Sequence, residues 1–231
     1  MDGNGRWAAE RGRNRNVGHR QGVESVREIT RECSKLGIGQ LTLYAFSAEN
    51  WKRPKLEVNF LMRLLKRFIV GERREMMDNN IRFRAIGRIA DLSAGVQKEL
   101  ARSAEITAGN DGLTLCLALN YGGRQEITDA ARALARDAAE GAVDPGEIDE
   151  AKFASYLYDP NMSDPDLLIR TSGEMRVSNF LLWQISYSEI YCTELLWPDF
   201  RREELHKALT EYAKRERRFG DVTCKQKRKG K

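Results

Sequence analysis

The segment Asp2-Gly3-Asn4-Gly5-Arg6-Trp7 combines residue types that handle phosphate. Two glycines let backbone N–H groups converge on an anion, Arg6 can grip a phosphate through two donors, and Asp2 can hold a divalent cation. The same letters also spell an ordinary turn, because Asp-Gly and Asn-Gly are common hairpin signals. A hairpin needs a strand in front, however, and only Met1 and Asp2 precede this turn. The segment matches neither a Walker A loop nor a dinucleotide-binding glycine pattern. Arg11, Arg13, Arg15, His19 and Arg20 follow. Any one of them reads as a solvated base ahead of a helix, but beside a glycine turn and a carboxylate Arg15 and His19 gain weight as phosphate contacts.

Three further segments carry chemistry. Ser47-Ala48-Glu49-Asn50-Trp51-Lys52-Arg53 is polar apart from Ala48 and Trp51, and the Trp51 indole needs either a partner surface or a place in the core. Arg170-Thr171-Ser172-Gly173-Glu174-Met175-Arg176-Val177-Ser178 sets two guanidiniums six residues apart around a glycine, a spacing that suits a diphosphate better than a lone carboxylate. Glu189 lies in the aromatic, apolar run Tyr187-Ser-Glu-Ile-Tyr-Cys192, where a carboxylate is costly unless it is paired or binds metal.

The elements that must position these residues show two alternating periods. Val23, Val26, Ile29, Cys33 and Leu36 recur at helical spacing and stop at Gly37, and a wider helical stripe runs over 58–69. Helices are also expected over 91–108, 124–139 and 202–218, and strands over 41–46, 81–86, 113–119 and 166–170. Strands alternating with helices of this length imply an α/β fold: a single domain with a mainly parallel central sheet covered by helices on both faces. Ligands of such sheets sit beyond the carboxyl ends of the strands, where the segments after residues 46, 119 and 170 emerge.

Composition bounds the rest. The 231 residues fit one large domain; 41% hydrophobic and 32% charged residues exclude a disordered chain. No run approaches the roughly 18 apolar residues of a spanning helix, and the first residues carry no apolar stretch of a secretory signal, so a cytoplasmic location is expected. Cys33, Cys116, Cys192 and Cys224 are scattered and there are two histidines, which argues against zinc or a disulfide framework. Of the net charge of +5, residues 214–231 carry +7 and residues 1–213 carry −2. The body therefore shows no nucleic-acid footprint, while residues 221–231 read as a disordered basic tail with weak attraction to anionic membrane surfaces.

Taken in order, Asp2-Gly-Asn-Gly-Arg-Trp-Ala8 with Gly18-His19, Tyr44-Ala-Phe-Ser-Ala-Glu-Asn-Trp51 with Arg53-Pro54, Asn120-Tyr-Gly-Gly-Arg124, Arg170-Thr-Ser-Gly173, Ser178-Asn-Phe-Leu-Leu-Trp-Gln184 and Arg215-Glu-Arg-Arg-Phe-Gly220 resemble the successive motifs of the cis-prenyltransferases, nearest to the undecaprenyl diphosphate synthase branch. The resemblance covers residues 1–220. It implies condensation of isopentenyl diphosphate onto an allylic diphosphate, usually farnesyl diphosphate, by a Mg²⁺-dependent homodimer, giving a long polyprenyl diphosphate that serves as lipid carrier in cell-wall synthesis. By the same resemblance, Asp2 coordinates Mg²⁺ and assists departure of the allylic diphosphate. Gly3, Asn4, Gly5, Arg6 and Trp7 wrap that group, with Arg15 and His19 beside it. Ser47, Ala48, Glu49, Trp51 and Arg53 line the junction of the substrates, and Asn50 accepts or relays a proton. Arg170, Arg176, Val177 and Ser178 hold isopentenyl diphosphate, and Glu189 completes the metal site, often across a dimer interface.

A long product needs an apolar tunnel, for which 58–69 with Ala45, Phe46, Ile81 and Leu113 are the candidate lining, although ordinary core would look the same. Two departures from the family pattern stand out. The family carries an apolar strand directly ahead of the aspartate motif, so the expectation is either that native residues before Met1 are missing here or that the protein is less stable and less active than its relatives. Met175 stands where relatives commonly have a polar residue. The alternative function is a non-catalytic partner subunit; such subunits lose the aspartate turn, which is present here.

Overall fold

The two periods become helices and strands in a computed structural model that describes residues 1–215. In chain order the elements are α1 (Asn4–Glu10), α2 (Arg15–Lys35), β1 (Gln40–Ser47), α3 (Lys55–Gly71), α4 (Arg73–Asp78), β2 (Arg82–Ile86), α5 (Ala94–Ile106), β3 (Thr114–Tyr121), α6 (Gly123–Ala139), α7 (Glu150–Ala154), β4 (Leu167–Arg170), β5 (Glu189–Cys192) and α8 (Arg202–Ala213). Asn14 caps α2 by accepting from the Asn16 amide at 2.9 Å. Gly37 and Ile38 close its other end through bonds to the carbonyls of Ser34 and Cys33, a Schellman arrangement. The helix expected over 202–218 ends at Ala213, with Lys214 as its C-cap, and the basic tail lies outside the described residues.

Every ladder is parallel. β3 lies between β1 and β2, with Leu43 opposite Leu117 and Phe83 opposite Leu115, and β4 pairs with β5, Arg170 opposite Cys192. Alternation along β3 divides its side chains between two clusters. Leu115, Leu117 and Leu119 join Val26 and Ile29 of α2, Phe68 and Ile69 of α3 and Val96 and Leu100 of α5 on one face. Cys116 and Ala118 join Ile86, Phe180 and Leu181 on the other. There Glu126 of α6, 1% exposed, accepts from the Tyr121 hydroxyl, the Tyr158 amide and the Gln184 side chain, tying α6 and the 158–184 segment to the sheet. The parallel α/β expectation holds, with much of the second face covered by that irregular segment.

The sheet is divided. Among the described residues β1 bonds only β3 and β4 bonds only β5, so each has an edge without a described ladder partner. Yet Ile169 packs against the first cluster and Leu168 against the second, so β4 keeps the two-faced order of the sheet. A cavity of about 1480 Å³ is lined by all of β1 and all of β4.

Candidate active site

Asp2 is held by its backbone. Its amide donates to Thr171 Oγ1 at 3.0 Å, and its carbonyl accepts from Thr171 Oγ1 at 3.0 Å and from the Trp197 amide at 2.9 Å. Its carboxylate meets Arg170 at the end of β4, with Nε at 3.0 Å and Nη2 at 2.8 Å, both on Oδ2. Arg170 also donates through Nη1 to Ser178 Oγ at 2.9 Å and to the Arg176 carbonyl. A strand end thus gathers the start of the chain and the 172–178 loop.

The glycine segment is a helix start, which the turn reading missed. Gly3, at φ 102, is the N-cap of α1, a backbone conformation that side chains with a Cβ rarely adopt. Gly18 explains the Gly18-His19 spacing: a Cβ there would stand 1.8 Å from the Asn4 carbonyl, so α1 packs directly on the α2 backbone. Gly5 lies against the Arg15 guanidinium rather than a cavity wall.

Five of the expected contacts are gathered around two carboxylates, Glu57 and Glu174. Arg15, His19 and Arg53 converge on Glu57 Oε1 at 3.2, 3.6 and 3.1 Å. Burial first, then the guanidiniums of Arg53 and Arg15, push His19 down to about 4 despite Glu57, so it is neutral at pH 7. Arg6 donates to Glu174 at 3.0 Å and to the Ser172 carbonyl at 3.3 Å, and Arg176 pairs with the same Glu174. Glu57 and Glu174 were missed by sequence reasoning. Position i+4 after Arg53 on a helix was the signal for Glu57, and its place between Arg170 and Arg176 was the signal for Glu174.

The 47–53 segment closes the other side. Asn50 Oδ1 accepts from the Ser47 amide at 3.1 Å, and Glu49 accepts from Asn179 at 3.0 Å. The mouth of the cavity therefore brings together Asp2, Asn4 and His19 with Ser47, Glu49, Asn50 and Arg53, and with Arg170, Arg176, Val177 and Ser178. Beyond the mouth the lining includes apolar Leu61, Leu64, Leu65 and Phe68 from α3 with Ala45 and Phe46, and also charged Arg82, Arg84, Asp164 and Asp166. Val58, Ile69, Ile81 and Leu113 are core and do not line it.

Other expected residues lie off the cavity. Arg6 and Arg15 stand behind the mouth with Gly3, Gly5 and Ala48. Trp7 is core: its indole donates to Asp199 at 2.7 Å and Arg11 lies 4.3 Å over its ring. Trp51 donates to Asn120 Oδ1 at 2.7 Å and packs edge-on against Phe46. Glu189 opens β5 opposite Leu167, three residues, or about 10 Å along the strand, from the Arg170–Cys192 pair. It pairs with Arg215 at 2.6 Å, so within one chain the described residues do not bring it to Asp2. Met175 is 87% exposed.

No described helix is long and apolar enough to cross a membrane, and no cluster of three or more metal-ligating His, Cys, Asp or Glu side chains occurs among the described residues. Asp2 nonetheless retains Oδ1 without a hydrogen bond from any described residue, on a side chain 44% exposed. That fits a hard cation that takes one carboxylate and fills its remaining positions with phosphate and water oxygens. The arrangement suits ligands with an anionic head and an apolar body.

Residues 1–220 match the family model described as "Putative undecaprenyl diphosphate synthase". An isoprenyl transferase of Geobacter sulfurreducens is 56% identical over 97% of this chain and 91% of its own length. The crystal structure of lavandulyl diphosphate synthase from Lavandula x intermedia, in complex with dimethylallyl diphosphate, superposes with a TM-score of 0.93 at 39% identity, over 96% of this chain and 95% of that one. A probable undecaprenyl diphosphate synthase from Campylobacter jejuni gives 0.77 at 38% identity, over 87% and 92%. With Asp2, two groups of arginines and a cavity with an apolar α3 wall in one place, the chain belongs to the undecaprenyl diphosphate synthase family of prenyltransferases.

Proposed function

We propose that the chain condenses isopentenyl diphosphate onto an allylic diphosphate, with farnesyl diphosphate as primer, and extends it to a long polyprenyl diphosphate such as undecaprenyl diphosphate for cell-wall synthesis. One observation carries this reading: Asp2, Arg170 and Ser178 meet at the polar mouth of a 1480 Å³ cavity with an apolar α3 wall.

Asn4 and His19, with Arg6 and Arg15 behind them, hold the allylic diphosphate, and Arg170, Arg176 and Ser178 hold isopentenyl diphosphate. Donors already in place meet the charge that develops on the departing diphosphate, and two fixed head groups bring the reacting carbons together. The hydrocarbon lies along Leu61, Leu64, Leu65 and Phe68. Asn50 faces the junction; its oxygen is engaged by the Ser47 amide, so relaying a proton requires that bond to exchange. Asp2 would hold Mg²⁺, which when bound neutralises diphosphate charge. Glu189 contributes to a metal only from a second copy, as a homodimer would allow. A cytoplasmic location and contact of the basic tail with anionic membrane complete the proposal.

Incubating the protein with labelled isopentenyl diphosphate, farnesyl diphosphate and Mg²⁺ and sizing the lipid tests the reading. Extended polyprenyl diphosphate is expected. Absence of any lipid product overturns it, and product that forms only with an added subunit favours the partner-subunit alternative.

A further inference from the structure

Asn179 ties the loop that carries Arg176 and Ser178 to two other segments, the start of α6 and the 47–53 segment. Its carbonyl accepts from the Gly123 amide at 2.7 Å and its Oδ1 from the Arg124 amide at 2.8 Å, so it caps the first turn of α6 from outside the helix. Its Nδ2 donates to Gln125 Oε1 at 3.1 Å and to Glu49 Oε1 at 3.0 Å. Burial alone would raise the Glu49 carboxyl, but hydrogen bonds from its own backbone, Asn179 and Ser47 outweigh that and hold it below the usual range. Asn179 is next in sequence to Ser178, which receives Arg170, while Glu49 is next to Asn50.

The backbone here is held against its preference. Ser178, Asn179 and Leu181 have φ of 45°, 62° and 47°. Asparagine tolerates this region; a leucine does not, and Leu181 is kept there while only 1% exposed in the second-face cluster. The arm carrying Arg176 and Ser178 is therefore anchored below by Leu181 and above by α6. Its link to the arm carrying Ser47 and Asn50 is the Asn179–Glu49 bond.

We propose that Asn179 is a positioning residue that sets the spacing between these two arms, and with it the register in which isopentenyl diphosphate meets the allylic substrate. The proposal rests on the functional reading above. It concerns a residue that lies off the reacting atoms and acts through Ser178 and Glu49.

Asn179→Asp separates this role from folding. Aspartate tolerates the left-handed backbone and still accepts from the Arg124 amide at a helix N-terminus, but it loses the donor and sets a carboxylate against Glu49. The expected result is a KM for isopentenyl diphosphate about tenfold higher, equivalent to about 1.4 kcal/mol, with the allylic KM and melting temperature unchanged. In N179D/E49Q the bond is rebuilt with donor and acceptor exchanged, and the KM returns toward wild type.

Amide hydrogen exchange reads the same coupling without turnover. N179D is expected to speed exchange in both 172–181 and 47–53, and the double variant to slow both. Unchanged kinetics in N179D, a parallel rise in both KM values with a lower melting temperature, no rescue in the double variant, or faster exchange confined to 172–181 would each overturn the proposal. A wild-type protein without turnover refutes the functional reading, whereas exchange still decides the positioning role.

Discussion

Arg170 binds Asp2 through two nitrogens on one carboxylate oxygen, at 3.0 and 2.8 Å, across 168 residues of chain. The other three hydrogen bonds of Asp2 involve its backbone, to Thr171 and Trp197, so its place in the fold is independent of its side chain. Asp2→Ala is expected to lower kcat by about 10²–10³-fold, the scale seen when one stabilising group is removed from an active site. The fold should persist, at a melting temperature lower by a few degrees because Arg170 loses its anion. Steady-state kinetics beside calorimetry checks this; near-wild-type kcat would remove Asp2 from the chemistry.

His19 makes stability depend on pH. Its proton binds near 6.5 in the unfolded chain and at about 4 in the folded one, where burial and two guanidiniums oppose the charge. Between those values the unfolded state holds the additional proton, so stability is complete above pH 6.5 and declines as pH falls toward 4. His19→Gln should flatten that decline. Melting temperatures of both proteins at pH 7, 5.5 and 4.5 give the comparison, and equal slopes would contradict it.

Gly18→Ala probes the contact of α1 with α2. The new Cβ meets the Asn4 carbonyl at 1.8 Å, and a backbone atom cannot rotate away. A destabilisation at the upper end of the 1–3 kcal/mol typical of overpacking is expected by urea unfolding, with loss of activity as Asn4 shifts.

The cavity walls should govern product size. Leu65→Trp puts a large ring on the α3 wall while leaving the polar mouth untouched. Shorter products are expected at an unchanged rate of first condensation, read by chromatography of the labelled lipids. An unaltered length distribution would mean that the hydrocarbon grows elsewhere.

The divided sheet yields a fifth prediction. Met1 lines the same cavity as β1 and β4. Placing about six apolar β-prone residues, an ordinary strand length, ahead of Met1 offers β1 and β4 a shared neighbour. A higher melting temperature and higher turnover are expected; no change in either would show that the gap does not accept a strand.

Side-chain periodicity made most of the architecture legible. The spacing of Val23, Val26, Ile29 and Cys33 located α2, and the unbroken apolar run 113–119 located β3, because both patterns follow from which face is buried. α1 was hidden because its glycines look like a turn, and β5 because it opens on a charged residue, Glu189, where the equally short β4 opens on the apolar run Leu167-Leu168-Ile169. The break between β1 and β4 is a fact of hydrogen-bond pairing, which side-chain type does not encode. Within the site, polar residues were readable, but their partners were not: Glu57 and Glu174 are unremarkable letters until folding sets them against Arg15, Arg53, Arg6 and Arg176.

Those partners have a consequence for selectivity. Because Arg6, Arg15, Arg53, Arg170 and Arg176 share three internal carboxylates, Glu57, Glu174 and Asp2, more than half of their charge is offset before any substrate arrives. Substrate capture is thus an ion swap in which a diphosphate must outcompete Glu57, Glu174 or Asp2 for guanidiniums already aimed at it. Loose polyanions lack the local charge density to displace them, and a compact pyrophosphoryl group has it.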